Sequence, residues 1–437
     1  MSELPETWEQ ITLGDILDRF QYGFTAKADA SAEGLRFLRI TDIEDGVVKW
    51  KQVPGLAEEI EGDKYILHDG DFVFARSGSV EKACRIENPP DAIFASYLIR
   101  GTPVIPDLSD WLAWFIKSNL YLQQIFAKAV GIGLSNVNAK KLATIEVPIA
   151  PLAEQQRIVA KLDALFARTR QARAELESIP KLIEHYKQAI LAAAYDWAVQ
   201  AVTQTSTLGD IVTDIRNGVG KPPENTPPGV PILKISAIRP MTVRMDERRY
   251  YLLDEGEDIS RYILKSGDLL FTRYNGNPDF VASCGMIREL DEVLIYPDKL
   301  IRVRLDMENV DPSFVEAIAS SPQARAALSP YIKSAAGQHG ISGKDLKQLR
   351  LPIPNLSVQH EIVDFVTLAL SRVNQTQDET LSASHLIDHL EQAILTKAFR
   401  GELVPQDPSD EPAAVLLERI RAARVEQSSG GRVKKRK

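Results

Sequence analysis

The stretch Pro148–Val159, "PIAPLAEQQRIV", returns as Pro352–Val363, "PIPNLSVQHEIV". Pro148, Leu152, Gln155, Ile158 and Val159 recur as Pro352, Leu356, Gln359, Ile362 and Val363, each 204 positions on. Both copies read as the end of a strand running into a helix. A joint used twice in a chain of 437 residues means a duplicated domain. It is not a solenoid, whose repeats run about 20–50 residues.

The match extends outward from the joint. "TLGDI" at Thr12–Ile16 returns at Thr207–Ile211, offset 195. Gly70, Asp71, Phe74 and Arg76 match Gly267, Asp268, Phe271 and Arg273, offset 197. Cys84 matches Cys284, offset 200, and "YLIR" ending at Arg100 resembles "KLIR" ending at Arg302, offset 202. The 204-residue offset then holds from Pro148 to the "QAIL" at Gln188 and Gln392. The drift means that the frame keeps its register while linking segments change length, so different loops sit on a common scaffold.

Each half opens with short apolar runs bounded by Gly, Asp and Pro: "FLRITDI" and "GDFVFAR", then "PILKISAI" and "GDLLFTR". These are strand signals. A helix is expected over 107–129 and another over 311–332, followed by the polar loops "VGIGLSNVNAKKL" and "AAGQHGISGKDL". Each half therefore reads as an α+β domain.

After each joint the pattern becomes a heptad seam. In the first copy it runs Ile158, Leu162, Leu165, Thr169, Ala172, Leu176, Ile179, Ile183, Tyr186, Ile190, Ala193 and Trp197. The second copy, Ile362, Val366, Ala369, Val373, Thr376, Thr380, Ala383, Ile387, Leu390, Ile394, Lys397 and Gly401, is weaker in its middle and at its end. Pro180 lies inside the first helix and should kink it or mark two helices in line. Two seams of similar length most simply bury each other. The expected architecture is two globular α+β domains separated by two long helices packed as an antiparallel coiled coil, with pseudo-two-fold symmetry. The expected boundaries are 1–150, 151–200, 201–354, 355–403 and 404–437, the last a C-terminal helix and basic tail. Such an arrangement measures a distance, as two-fold proteins do when they read two DNA half-sites.

Composition excludes several classes. Apolar residues make up 44% and charged residues 26%, the balance of a globular protein. No apolar run approaches the roughly 20 residues of a membrane helix, and the N-terminal segment has no signal-peptide pattern, so a cytoplasmic location is expected. Two cysteines and six scattered histidines form no metal-ligand spacing. The net charge of −8 leaves nucleic-acid binding to local patches.

The order of parts resembles the specificity subunit of type I restriction-modification enzymes. The resemblance covers nearly the whole chain and is carried by "PLAEQQRIVAKLDALF", its weaker copy "NLSVQHEIVDFVTLAL", the "QAILAAA" and "QAILTKAFRGEL" helix ends and the "TLGDI" starts. It implies that each globular domain reads one half of a split, asymmetric double-stranded DNA target. It also implies that the helices set the spacing and dock two methyltransferase subunits, that restriction subunits join, and that the chain is not itself catalytic. S-adenosylmethionine, ATP and magnesium are then expected in the partner subunits, and no cofactor in this chain.

Candidate DNA contacts lie in the loops that differ between halves. The first polar loop offers Ser135, Asn136, Asn138, Lys140 and Lys141, and its counterpart Gln338, His339, Ser342 and Lys344. Asn and Gln can pair bidentately with adenine, and Lys can serve phosphate or guanine. Helix capping by Ser135 or Ser342 is the alternative. Arg76 with Ser77, Ser79 and Lys82, and Arg273 with Tyr274, Asn275 and Asn277, form plausible reading edges at equivalent strand ends, with structural ion pairing as the alternative. The equivalent loops "QYGFTAKA" and "RNGVGKPP" add Tyr22, Lys27, Arg216 and Lys221. "NPPD" at Asn88–Asp91 has the outline of an adenine-methyltransferase tetrapeptide, but Asp91 cannot stack on a base, and a turn is expected there. "NGNPD" at Asn275–Asp279 reads as a loop.

Overall fold

The computed structural model describes residues 4–32, 34–56, 63–129, 136–335 and 337–434. The chain divides into two compact units, Met1–Glu175 with Ala383–Lys437, and Leu176–Ser382. Each unit contains a globular α+β part and a part of each of two long helices, Leu152–Gln200 and Leu356–Ala398.

The duplication is visible strand by strand. In the first unit an antiparallel sheet has the order Leu17–Tyr22, Leu98–Pro103, Phe72–Ala75, Ala83–Arg85. In the second the order is Val212–Asn217, Leu300–Leu305, Leu269–Thr272, Cys284–Met286. A two-stranded pairing closes each globular part, Glu9–Thr12 with Glu146–Ile149 and Ser206–Thr207 with Arg350–Leu351.

The repeated motifs have identifiable work. In "TLGDI" the Asp15 carboxylate accepts the Thr12 N–H at 2.9 Å and its hydroxyl at 2.6 Å, and Asp210 does the same for Thr207 at 2.8 and 2.7 Å. Both motifs start a one-turn helix in a defined direction. In the joint, the buried Gln155 amide donates to the Ala150 carbonyl at 2.8 Å and Gln359 donates to the Pro354 carbonyl at 2.7 Å. Each glutamine thus satisfies a carbonyl where strand gives way to helix. Gln392 of the second "QAIL" donates to the Lys117 carbonyl and accepts the Asn119 N–H, which ties it across the break after Phe115.

The expected helix over 107–129 is two, Ser109–Phe115 and Asn119–Lys128, and that over 311–332 is Pro312–Ala319 and Pro322–Leu328. Ser118 and Ser321 cap the second member of each pair by accepting the Tyr121 and Ala324 N–H groups. The runs "FLRITDI" and "PILKISAI" are not continuous strands: each turns through a short 3₁₀ segment, at Ile40–Asp42 and Ile235–Ala237, and re-enters a strand only at its last residue, Ile43 or Ile238. In the first, Asp42 pulls the chain round by accepting the Arg39 N–H at 2.8 Å.

The cysteines are not equivalent. Cys84 pairs with Val73, whose counterpart Leu270 pairs with Gly285, not with Cys284. The offset is therefore 201, and the thiols sit on opposite sheet faces, in different cores. Burial pushes the Cys84 thiol up to about 12, and that of Cys284 well above its ordinary value.

The helices run antiparallel within each unit. In the second unit the Trp197 ring lies 6.1 Å from that of Phe365, and Lys187 reaches Gln377. In the first, Arg173 pairs with Asp388 at 2.8 Å and Glu391 at 3.2 Å. Leu152–Gln200 is continuous through Pro180 and about 73 Å long at about 1.5 Å per residue.

Of the seam residues, Ile158, Leu162, Thr169, Ile183, Ile362 and Val366 are buried. Leu165, Leu176, Ile190, Val373, Ile387 and Ile394 are half-buried. Leu390 is 52% exposed and Tyr186 66% exposed, so neither belongs to the seam. Toward the helix ends the buried places pass to Leu191, Ala194 and Ala198, and to Leu395, Ala398 and Phe399. A straight helix drifts about 20° per heptad from a strict 3.5 repeat, so a seam extrapolated over seven turns or more walks off the buried face.

The C-terminal segment completes the first core. Phe399 stacks edge-on against Trp111 and Phe115 at 4.7 and 5.5 Å. The helix Ala413–Lys434 adds Ala413, Leu416, Leu417 and Ile420 to that core, and Arg157 binds Asp410 at 2.6 Å. Among the described residues no helix is long and apolar enough to cross a membrane.

Candidate nucleic-acid interface

At the end of Phe72–Ala75 in the first unit the chain leaves the sheet at Arg76. The Arg76 carbonyl accepts the Val137 N–H at 2.8 Å, Ser77 bridges Asn136, and the Ala139 N–H donates to the Tyr22 hydroxyl at 3.0 Å. The Arg76 guanidinium lies 4.8 Å over the Tyr22 ring. Three distant segments thus bring Tyr22, Arg76, Ser77, Asn136 and Asn138 to one edge.

The second unit repeats the plan with different chemistry. The Arg273 carbonyl accepts the Ile341 N–H at 3.0 Å, and its guanidinium lies 4.6 Å over Tyr274 and donates to the Asp298 carbonyl. Tyr274 and Asn275 pair with Gly340 and His339 of the hairpin Lys333–Ala335/Gln338–Gly340. A side chain at Gly340 would meet the Tyr274 ring at 2.4 Å, so only glycine lets that ring lie flat on the hairpin. In both units the arginine Nε is buried without a hydrogen-bond partner among the described residues, and stacking on a tyrosine holds each guanidinium.

Several candidates turn out to be committed to local structure. Asn138 accepts the Lys141 N–H at 2.9 Å as a helix cap, and the Lys141 ammonium donates to the Lys128 carbonyl. Ser342 forms a capping box with Asp345. Asn275 accepts the Asn277 N–H, and Asn277 accepts the Asp279 N–H. Lys221 is paired with Asp254 at 2.5 Å, and Arg216 lies 3.6 Å from Asp214. Ser79 and Lys82 shape the turn after Arg76, and the Lys82 ammonium reaches the Ile40 carbonyl. His339 shares a 2.7 Å hydrogen bond with Ser334. Lys27, Asn136, Lys140, Gln338 and Lys344 are exposed, and none of the three lysines has an ionic partner among the described residues. Ser135 lies outside the described residues. Asn88 adopts a left-handed backbone at φ 44° within the "NPPD" turn.

Two residues beside these edges escaped the sequence reading. The Arg76 N–H donates to the Tyr97 carbonyl, and the Arg273 N–H donates to the Lys299 carbonyl. Their signal was the one letter that differs between "YLIR" and "KLIR".

The type I restriction modification DNA specificity domain matches residues 5–181 and again 203–381. The chain belongs to that family. The chain is 32% identical over 465 residues to the type I restriction enzyme EcoKI specificity subunit of Escherichia coli K12, spanning all of this chain and 99% of that one. It is 27% identical to the StySPI specificity subunit of Salmonella potsdam, with the same coverage. Its fold matches a chain from a structure of type I R-M complex assembly and conformational transition, at TM-score 0.67 and 19% identity over 92% of this chain and all of that one. It also matches the crystal structure of an HsdS subunit from Thermoanaerobacter tengcongensis, at TM-score 0.51 and 20% identity over 92% and 98%. Members of this family are the DNA-recognising part of the enzyme and not the catalytic one, so the paired edges belong to a specificity subunit.

Proposed function

We propose that the chain reads a bipartite, asymmetric DNA duplex, one half-site per unit, and docks two methyltransferase subunits along its long helices, with restriction subunits joining the assembly. The observation that carries the reading is a shared four-stranded frame that ends in two unlike edges, one around Tyr22, Arg76 and Asn136 and one around Arg273, Tyr274 and the hairpin. Equal frames position two readers equally, and unequal edges read different bases.

Docking on the helices is supported by their outward apolar residues. Leu182, Tyr186, Leu368 and Leu381 in one unit and Leu386 and Leu390 in the other are all more than half exposed. Exposed apolar rows of this kind mark protein contact sites. S-adenosylmethionine, ATP and magnesium belong to the partners in this reading. The described residues contain no group of three or more His, Cys, Asp or Glu able to hold a metal ion.

The test is methylation mapping with the full chain assembled on its methyltransferase. The expected pattern is two short defined segments around an undefined spacer, with no methyl transfer by the chain alone. A continuous palindrome, or transfer by the chain alone, refutes the reading. Inserting one heptad in both helices should favour a spacer roughly three base pairs longer, since seven residues rise about 10 Å and DNA about 3.4 Å per pair.

A further inference from the structure

The two strand ends carry an inference that rests on the reading just given. In the first unit Leu98 pairs with Ala75, and the ladder continues one step as the Arg76 N–H donates to the Tyr97 carbonyl at 2.8 Å. In the second, Leu300 pairs with Thr272, and the Arg273 N–H donates to the Lys299 carbonyl at 2.9 Å. Residues directly opposite in an antiparallel pair project from the same face. Tyr97 therefore emerges beside Arg76, and Lys299 beside Arg273.

One pair further in on that face, Phe74 and Ile99 are buried in the first core, and Phe271 and Ile301 in the second. The pairs Arg76/Tyr97 and Arg273/Lys299 thus stand where each buried face runs out into solvent. Tyr97 is 61% exposed, the most exposed aromatic side chain described in its unit. Lys299 is exposed and, like Arg273, has no ionic partner among the described residues. Two cations facing each other across a ladder destabilise the sheet. A phosphate between them removes that repulsion and gains two charge-assisted hydrogen bonds.

We propose that Tyr97 and Lys299 contact DNA at corresponding places of the two half-sites, in different ways. Tyr97 lays its ring against an apolar base edge and takes part in sequence choice. Lys299 joins Arg273 on a backbone phosphate and holds register without reading sequence. The first half-site contact is therefore insensitive to salt at this point, and the second adds one released counterion.

The experiment uses the full chain assembled with its methyltransferase, a duplex carrying the mapped target, and salt varied from about 50 to 200 mM. Lys299→Ala should reduce the slope of log affinity against log salt by about 0.9 and leave the ranking of sequences unchanged. Tyr97→Ala should lower affinity about tenfold, keep the slope, and relax preference in the first half-site alone. Lys299→Arg should restore the slope, and both alanine variants should melt as the parent does, which separates contact from folding. Parent-like affinity, slope and ranking in both alanine variants overturn this inference while the proposed function stands. If the parent assembly selects no split sequence, both fall.

Discussion

The two globular parts invite comparison residue by residue. Where they agree, the agreement concerns backbone: Gly23 and Gly218 at the same close approach, Thr12 and Thr207 with the same acidic partner, Gln155 and Gln359 on the same carbonyl. Where they differ, the difference projects from strand ends: Tyr97 against Lys299, a bridge at Ser77 against a paired segment at Tyr274 and Asn275. The duplicated chain has held on to what fixes the path of the main chain and changed what can touch a ligand.

The largest test of this asymmetry is Phe399. It is buried among Trp111 and Phe115, whereas its counterpart Tyr195 is only half-buried. Phe399→Ala should destabilise the first unit by about 3–5 kcal/mol, and Tyr195→Ala the second by clearly less, in denaturant unfolding followed by hydrogen exchange in each unit. Equal losses would mean that the two cores are completed alike.

The shared glycines test the opposite half of the comparison. A Cβ at Gly218 would lie 2.0 Å from the Tyr296 carbonyl oxygen, and one at Gly23 would lie 2.2 Å from that of Phe94. Alanine at either position should cost about 3 kcal/mol in its own unit, since main chain must move. Tolerance at one site alone would break the claim that the frame is common.

Gln359 sharpens it further. Besides Pro354, it donates to the Asn309 carbonyl and accepts the Asp311 N–H at 2.9 Å, whereas the Gln155 carbonyl oxygen has no partner among the described residues. Gln359→Ala should cost about 2–3 kcal/mol and Gln155→Ala about 1, read from unfolding midpoints.

The smallest effect is shared by both units. The Asp15 carboxyl is lowered despite desolvation, which opposes the Thr12 hydrogen bonds, and the Asp210 carboxyl is lowered by those of Thr207. A carboxyl whose folded pKa is depressed binds protons less readily than in the unfolded chain. Its contribution is present above the ordinary carboxylate range and is lost as pH falls through the folded value. Thr12→Ala and Thr207→Ala should each destabilise their unit slightly near neutrality and progressively less in acid, in parallel pH–stability profiles.

The duplication, the long helices and the strand-ending arginines were legible because each depends on local pattern repeated at distance. The helix breaks were not, since a serine cap costs one letter and leaves the apolar periodicity intact on both sides, as at Ser118 and Ser321. The drift of the seam toward Leu191 and Leu395 could not be read from spacing alone, because it accumulates slowly along the helix. Among the candidate contacts, residue type identified Arg76 and Arg273 but could not tell that Asn138 and Ser342 serve their own helices. Tyr97 and Lys299 sit in runs that match so well elsewhere that they read as frame.

The closing of the first core by Phe399 and Leu416 has a consequence for the order of events on the ribosome. The second unit is one uninterrupted stretch, Leu176–Ser382, and has all its residues before the chain is finished. The first unit begins earlier and ends later. At about 5–20 residues per second, its Trp111 and Phe115 wait on the order of ten to fifty seconds for the aromatic ring that covers them. The half of the protein that is translated first is thus the half that matures last, and a chain cut short before Phe399 leaves the ribosome with an aromatic surface uncovered.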